Sequence, residues 1–439
     1  MNSATKTSGV GTFLDLDRAS ALGFDHIMPL LHADDEGVYT AHLGDVAIAS
    51  HFQPIFSLSH RRQVGHEALM RPRSSSGAAI PPPELLAQVA DDFYTLIELD
   101  RLCRAVHIAN FARQTNGDEW LFLNMHPEIF LHARRLGATD ILLQRLIDTF
   151  GLSPHRLVIE VVEEAVTENA DFAESVAFFR DLGCMIAIDD FGAGHSNFDR
   201  IWSIRPEIVK LDRSLILQAA REPHVRHLLP QMVALLHEAG ALVLMEGIET
   251  RDEAYIALEA DIDFVQGFYF GRPTANLFTS DEAHSPITDT WNDFDNQSQS
   301  AKNHYRSNIS PYINAIGYAS VLLSADRTME EACASFLALE NSEFSYVLDT
   351  QGQQIGVNHW AKHASPLRDP RFAPVALGQG ARWSRRPYFR RAIDNFGKVQ
   401  VTRPYLSISS AVLCVTLSVS FKVDGELRVL CGDVRWRQT

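Results

Sequence analysis

Between residue 51 and about residue 272, compact apolar runs alternate with amphipathic stretches of helix length. The runs are "HFQPIFSL", "GHEALMR", "WLFLNMHP", "RLVIEVVE", "MIAIDDFG", "IVKLDR", "LVLMEGIE" and "FVQGFYFG". Their length and their β-branched and aromatic content predict strands, and segments such as "ADFAESVAFFRDLG" and "VRHLLPQMVALLHEAG" predict helices between them. Eight runs of this kind predict an α/β chain folded as a (β/α)8 TIM-like barrel or a close variant of it. A doubly wound open sheet is the alternative, but no glycine-rich dinucleotide fingerprint follows the first run.

The flanks read differently. Residues 1–45 are mixed in character, with short helical stretches, and are too few for an independent domain. The barrel pattern is assigned to residues 46–280. Over 281–305 the chain turns rich in Asp, Asn, Ser and Thr and loses its periodicity, which predicts a linker. Residues 306–439 then carry a helical "MEEACASFLALENS", a strand-turn-strand "FSYVLDTQGQQIGVN", and the strands "LCVTLSVSF" and "GELRVLCGDVRW". In the first of those two strands Leu413, Val415, Leu417, Val419 and Phe421 share one face, and Cys414, Thr416, Ser418 and Ser420 share the other. That alternation predicts an antiparallel sheet with one covered face in a small α+β domain.

Composition narrows the function. The chain has 439 residues, 46% hydrophobic and 21% charged, which is globular and long enough for two domains. A formal net charge of -16 argues against a protein that coats a nucleic-acid polymer, so a phosphate ligand has to arrive with cations. Five cysteines, Cys103, Cys184, Cys333, Cys414 and Cys431, are odd in number and contain no CxxC pair, the usage of reduced thiols in a cytoplasmic protein. The N-terminal stretch lacks the layout of a signal peptide, and "AVLCVTLSVSF" is too short for a membrane-spanning helix.

The candidate chemistry lies in where the polar residues stand. Seven of the predicted strands carry an acid, amide or amine at or near the C-terminal end: Glu67, Asn124, Glu160, Asp189 with Asp190, Lys210, Glu246 and Gln266. In a barrel these ends meet at one mouth, where the fold places its active sites. One carboxylate after a strand is ordinarily a helix cap or a solvated loop residue. Five in one mouth repel one another unless cations neutralise them. Oxygen-only ligands match Mg²⁺ or Mn²⁺ rather than zinc, and the adjacent aspartates suit a pair of ions, one of them able to bridge. Such a pair is the clamp used to displace an oxygen at phosphorus. Lys210 then orients the nucleophilic water and offsets transition-state charge; its alternative role is an imine-forming nucleophile, which the surrounding acids oppose by keeping it protonated. His51, His66 and His195 lie beside these motifs and read as loop or packing residues.

Taken in order, "EALMR", "LNMHP", "IEVVEEA", "IDDFGAGHSN", "VKLDRSL", "EGIET" and "VQGFYFGRP" resemble the EAL-domain phosphodiesterases of bacterial cyclic di-GMP signalling, over about residues 45–280. The resemblance implies a modified (β/α)8 barrel that hydrolyses cyclic di-GMP to linear pGpG with Mg²⁺ or Mn²⁺, two ions per site, and is inhibited by Ca²⁺. It implies Glu67, Asn124, Glu160 and Asp189 as ligands of the first ion, with Asp189 and Asp190 reaching the second. Glu246 falls at a further metal-site or water-coordinating position, Lys210 at the catalytic lysine, and Gln53, Arg71 and Gln266 at substrate-contacting positions. Glu163 matches the glutamate that braces the loop after the paired aspartates. That loop departs from the commoner "DDFGTGYSSL" at Ala193, His195 and Asn197, which touches loop stability and its coupling to dimerisation rather than the ligand set. No cyclase "GGDEF" signature occurs. The C-terminal domain resembles PAS-like or Cache-like sensor modules, with Trp383, Arg386, Tyr388, Tyr405 and Asp433 placed to line a pocket for an unknown small-molecule or protein ligand. A homodimer goes with the phosphodiesterase reading, and the cysteine usage and the lack of a signal-peptide layout or spanning run predict a cytoplasmic location. A catalytically inactive cyclic di-GMP receptor is the alternative reading, and an aldolase-like or enolase-like barrel a third.

Overall fold

The computed structural model describes residues 15–115, 117–139, 142–162, 170–194, 198–278, 286–364 and 378–436. The chain divides into two compact units, Met1–Asp295 and Asn296–Thr439. No helix among the described residues is long and apolar enough to cross a membrane.

The first unit is organised on a single sheet. Its strands are β1 (Leu31–Ala33), β2 (Tyr39–Leu43), β3 (Val46–Ser57), β4 (Arg62–Arg73), β5 (Trp120–Asn124), β6 (Leu157–Val162), β7 (Met185–Phe191), β8 (Ile208–Leu211), β9 (Leu242–Met245) and β10 (Phe264–Val265). They pair in the order β1-β2-β3-β10-β9-β8-β7-β6-β5-β4, and β3 also pairs with β4, so β3 to β10 close into an eight-stranded barrel. Neighbours from β4 round to β10 are parallel, whereas β3 is antiparallel to both β4 and β10. The reason is the connection over residues 58–61. A parallel crossover needs about a dozen residues or more, while this short turn, with Arg61 at φ 56°, permits only a hairpin. The barrel is therefore the close variant of the (β/α)8 pattern rather than the regular form. β1 and β2, from the segment given no role above, extend the sheet beyond β3. Of "FVQGFYFG" only Phe264 and Val265 are strand; the chain turns away from Gln266 onward.

The strand period of two separates two packing layers. Ile55, Phe122, Val158, Ala187, Ile208, Leu244 and Phe264 point inward and fill one end of the barrel. Their neighbours Leu121, Leu123, Ile159, Val161, Ile188, Val209, Val243 and Val265 point outward and pack under the helices. Full burial of a side chain of this size contributes about 1.5–3 kcal/mol. At Gly65 on β4 the barrel admits no side chain, because a Cβ would lie 2.8 Å from the Trp120 carbonyl oxygen.

Two expectations require correction. Residues 281–305 are not an aperiodic linker throughout, since a helix covers Pro286–Ser324. Ile287, Trp291 and Phe294 recur at helical spacing and pack on the first unit's core, with Trp291 Nε1 donating to the Leu58 carbonyl at 2.8 Å. Further along the same helix, Ile309, Tyr312, Ile316, Ala319 and Leu323 form a second apolar stripe, on the core of the second unit.

The second unit holds β11 (Ser342–Leu348), β12 (Gln354–Trp360), β13 (Gln400–Val401), β14 (Tyr405–Leu406), β15 (Leu413–Val423) and β16 (Glu426–Arg435). They make an antiparallel sheet in the order β12-β11-β16-β15-β13, with β14 also on β15. Both faces of this sheet are covered, not one. Val415, Leu417, Val419 and Phe421 meet the long helix and the helix Met329–Leu337, while the polar face packs under the helix Pro387–Asp394. Burial is tolerated there because Ser418 Oγ donates to the Tyr388 carbonyl at 2.8 Å and Ser420 Oγ to that of Ala392 at 2.7 Å.

Candidate active site

Each candidate residue stands one strand repeat beyond a residue of the barrel floor. Phe122 leads to Asn124, Val158 to Glu160, Ala187 to Asp189, Ile208 to Lys210, Leu244 to Glu246 and Phe264 to Gln266, and Gly65 leads to Glu67. On the reversed β3 the step runs the other way, from Ile55 back to Gln53, which pairs with Glu67. Two residues along a strand return to the same face, so the sequence that fills the floor with apolar groups places these polar groups directly above it.

At the centre is Lys210, whose side chain is 1% exposed. Its Nζ lies 2.6 Å from Glu160 Oε1, 2.6 Å from Glu246 Oε1, 3.2 Å from Asp189 Oδ1 and 3.9 Å from Glu67 Oε1. Burial alone would lower the lysine's pKa, but Asp189, Glu160, Glu246 and Glu67 together hold it well above the ordinary value. The acids therefore favour the protonated ammonium, which opposes the imine-forming role. Glu67 accepts from Gln266 Nε2 at 2.6 Å and from Asn124 Nδ2 at 2.7 Å, and Gln266 also reaches Gln53 Oε1 at 3.2 Å. Burial opposes the charged form of Glu67, but Lys210 and these donors outweigh it and hold its pKa low.

The paired aspartates share the mouth through a β-bulge. Between Ile188 and Phe191, β7 takes one more step than β8 does between Val209 and Leu211. Asp190 takes up the extra residue at φ 58°, a left-handed conformation that Asp adopts more readily than most residues. Asp189 is buried and Asp190 exposed, and with Glu246 they bring carboxylate oxygens within 4.8 Å of one another.

These donors fit a hard divalent cation. One ammonium faces four carboxylates, and the excess negative charge shows in proton affinity: burial pushes Glu160 well up and Glu246 up to about 8, and burial with the neighbouring Asp189 raises Asp190. Neither oxygen of the buried Glu160 accepts a hydrogen bond of good geometry, although Lys210 is close. Oxygen donors left without hydrogen-bond partners beside a charge excess are what a cation such as Mg²⁺ or Mn²⁺ satisfies.

Other acids near the rim have local duties. Asp212, just past β8, caps the helix Arg213–Arg221 by accepting from the Ser214 amide at 2.9 Å. Thr250 and Glu253 form a capping box on the helix Arg251–Glu259, which fixes the loop carrying Glu246. Arg71 is half-buried on β4, with Nη1 donating to the Met70 carbonyl at 2.9 Å. It stands beside the acidic group rather than in it. His66 packs edge-on to Phe52 and Phe111 and accepts from the Phe278 amide at 3.1 Å, while His51 is half-buried. Glu163, His195 and Asn197 lie outside the described residues.

A cleft with about 630 Å³ of empty space opens over the site, lined by Gln53, Glu67, Glu246 and Gln266 and by residues not singled out from the sequence: Arg213, Glu249 and Phe268. Arg213 pairs with Glu249 at 2.6 Å, and Phe268 is 45% exposed beneath the Arg272 guanidinium. Gly247, at φ 66°, is needed there because a Cβ would meet the Arg213 side chain at 2.6 Å. The signal was a cation three residues after Lys210 and an acid three after Glu246, which chain position alone does not pair.

Comparison with known proteins agrees with this architecture. The EAL domain family matches residues 42–273. Signaling protein YkoW of Bacillus subtilis is 28% identical over 231 residues, 51% of this chain and 28% of YkoW, so the chain spans under a third of that relative's length. Cyclic di-GMP phosphodiesterase RocR of Pseudomonas aeruginosa is 26% identical over 230 residues, 51% of this chain and 57% of RocR. The crystal structure of B. subtilis YkuI, a protein with an EAL domain in complex with the substrate c-di-GMP and calcium, superposes with a TM-score of 0.74 at 22% identity, covering 89% of this chain and 96% of YkuI. That likeness shows a shared fold. With the family match spanning more than half of the sequence and the acid-ringed Lys210 at the mouth of the barrel, this chain belongs to the EAL-domain family.

Proposed function

We propose that the barrel, residues 46–280, is a metal-dependent phosphodiesterase that opens cyclic di-GMP to linear pGpG. The observation that carries this reading is the convergence of Glu67, Glu160, Asp189 and Glu246 on one buried ammonium, with Asp190 alongside. RocR is named for this activity, and YkuI holds this dinucleotide with calcium.

Glu67, Asn124, Glu160, Asp189, Asp190 and Glu246 would hold two divalent ions, which supply Lewis acidity toward the phosphodiester and acidify a water. The chain's own groups do the rest. Lys210, fixed by acids on several sides, presents a permanent positive charge where negative charge builds on the phosphoryl oxygens. Gln266, which donates to Glu67 and to Gln53 Oε1, holds that carboxylate in one orientation, and the Gln266 and Gln53 amides face the substrate. Arg71, from the same strand as Glu67, directs a planar pair of donors at a phosphate. Glu163 is assigned to bracing the loop after Asp190.

The C-terminal unit, residues 306–439, is assigned as a PAS-like or Cache-like regulatory domain; its antiparallel sheet, with aromatic side chains beside the buried Asp433, supports this. A cytoplasmic homodimer completes the proposal, tested by sedimentation of the purified chain. The activity is tested by incubating the protein with cyclic di-GMP and Mn²⁺ or Mg²⁺, with EDTA as control, and resolving products by chromatography. Metal-dependent pGpG supports the enzyme. Binding with no product means the inactive receptor.

A further inference from the structure

The long helix Pro286–Ser324 begins inside the first unit, and its opening turns grip the barrel with more than apolar contacts. Ile287 and Thr290 are fully buried, and Phe294 packs on Tyr255 with ring centres 6.1 Å apart. Asp293 accepts from both Nε and Nη2 of Arg251, the latter at 2.7 Å. Arg251 is the first residue of the helix Arg251–Glu259. A cation at that end opposes the helix macrodipole, whereas Asp252 and Glu253, which follow it, are the acids the position favours. Arg251 is therefore misplaced for its own helix. The group that compensates it is on the long helix.

The backbone just before Arg251 leads straight back to the candidate site. Glu253 Oε2 accepts from the amides of Glu249 at 2.7 Å and Thr250 at 3.1 Å. Ile248 donates to the Gln266 carbonyl at 3.1 Å and accepts from the Tyr269 amide at 3.0 Å. Gly267 lies so close that a Cβ there would stand 2.0 Å from the Ile248 carbonyl oxygen. Glu246, at the head of this segment, meets Lys210, and Gln266 meets Glu67, each at 2.6 Å. Backbone packed this tightly passes a displacement at Arg251 on to Glu246 and Gln266 rather than absorbing it.

We propose that Asp293 and Arg251 are positioning residues: through their ion pair the start of the long helix sets residues 246–250, and with them the place of Glu246 in the cation site. The same helix runs on into the core of the second unit, so this pair is where a change there reaches the chemistry. The inference rests on reading the barrel mouth as a metal-dependent phosphodiesterase site. Its first readout is Mn²⁺ affinity, which is separate from nucleotide hydrolysis. Mn²⁺ bound without formation of pGpG would sink the phosphodiesterase reading and leave the positioning role to be decided by the affinities.

The full chain, Asp293→Asn, Arg251→Gln and the double variant are titrated with Mn²⁺ by calorimetry and assayed with cyclic di-GMP. Each single variant is expected to weaken Mn²⁺ binding about 5-fold and to lower kcat with KM unchanged, and the double variant to lose no more than either. Glu259→Gln is the control. It breaks the ion pair of Glu259 with Arg226 at the opposite end of the same helix, so it loosens that helix without touching residues 246–250, and Mn²⁺ affinity is expected to stay at the parent value. Unchanged affinity in both single variants overturns the proposal. An equal loss in Glu259→Gln also overturns it, because general loosening then explains the effect, as do additive losses in the double variant.

Discussion

Replacing Lys210 by Met isolates what the buried ammonium does for the barrel. Methionine keeps most of the volume and the unbranched stem, so the packing cost is small. The charge is lost. The side chains of Glu160, Glu67, Asp189 and Glu246, which are 0%, 11%, 11% and 22% exposed, would then face one another without a cation. Removing one partner of a buried ion pair costs about 3–5 kcal/mol, because the remaining charge is left unpaired in a poorly solvated site. At about 2–4 °C per kcal/mol for a domain of this size, the metal-free variant should melt about 6–20 °C below the parent. A divalent cation restores the missing positive charge. Mn²⁺ should therefore raise the melting temperature of Lys210→Met by more than it raises that of the parent. Scanning calorimetry of both proteins in EDTA and in Mn²⁺ measures all four values. Equal melting of the two proteins in EDTA, or no larger response of the variant to Mn²⁺, would refute the charge-balance reasoning.

Three further outcomes follow from particular contacts. Glu67→Ala should lower cyclic di-GMP turnover at least ~100-fold while circular dichroism stays unchanged; full activity would overturn its assignment as a ligand. Asp433 has a folded-state pKa of about 6 against an ordinary 3.8, so the folded unit keeps its proton to higher pH than the unfolded chain does. Its stability is accordingly greatest below about pH 4 and falls by about 3 kcal/mol as pH rises through 6, and urea melts of the parent and Asp433→Asn from pH 4.5 to 7 should differ by that slope. Gly65→Ala should cost about 1–3 kcal/mol by pressing a methyl group on the Trp120 carbonyl, read from the denaturant midpoint; an unchanged midpoint would mean that β4 and β5 separate without penalty.

Much of the barrel is visible in the chain because two independent signals coincide there. Apolar runs of strand length mark the floor, and an acid, amide or lysine at the end of each marks the rim, so Glu160 and Lys210 can be placed together before any coordinates are seen. Direction is less visible. β3 looks like its parallel neighbours, and only the short turn over residues 58–61 decides that it runs the other way. The helix from Pro286 was hidden because the polar residues around Ile287, Trp291 and Phe294 outnumber them, although three apolar groups at that spacing suffice to dock a helix. In the second unit, Ser418 and Ser420 read as a solvent face, since a hydroxyl does not announce whether its partner is water or the carbonyl of a covering helix. Arg213 and Glu249 required the fold itself, because their pairing joins two loops far apart in sequence.

The bulge in β7 carries an evolutionary consequence. Because floor and rim alternate strictly along each strand, exchanging one side chain retunes the chemistry without disturbing the scaffold, whereas deleting a single residue would swing an acid out beneath the helices. Such barrels should drift freely by replacement and hardly at all by gain or loss of length within their strands. At Asp190 the strand accommodates one extra residue and returns to register at Phe191, which adds a negative group at the mouth while the floor stays in place.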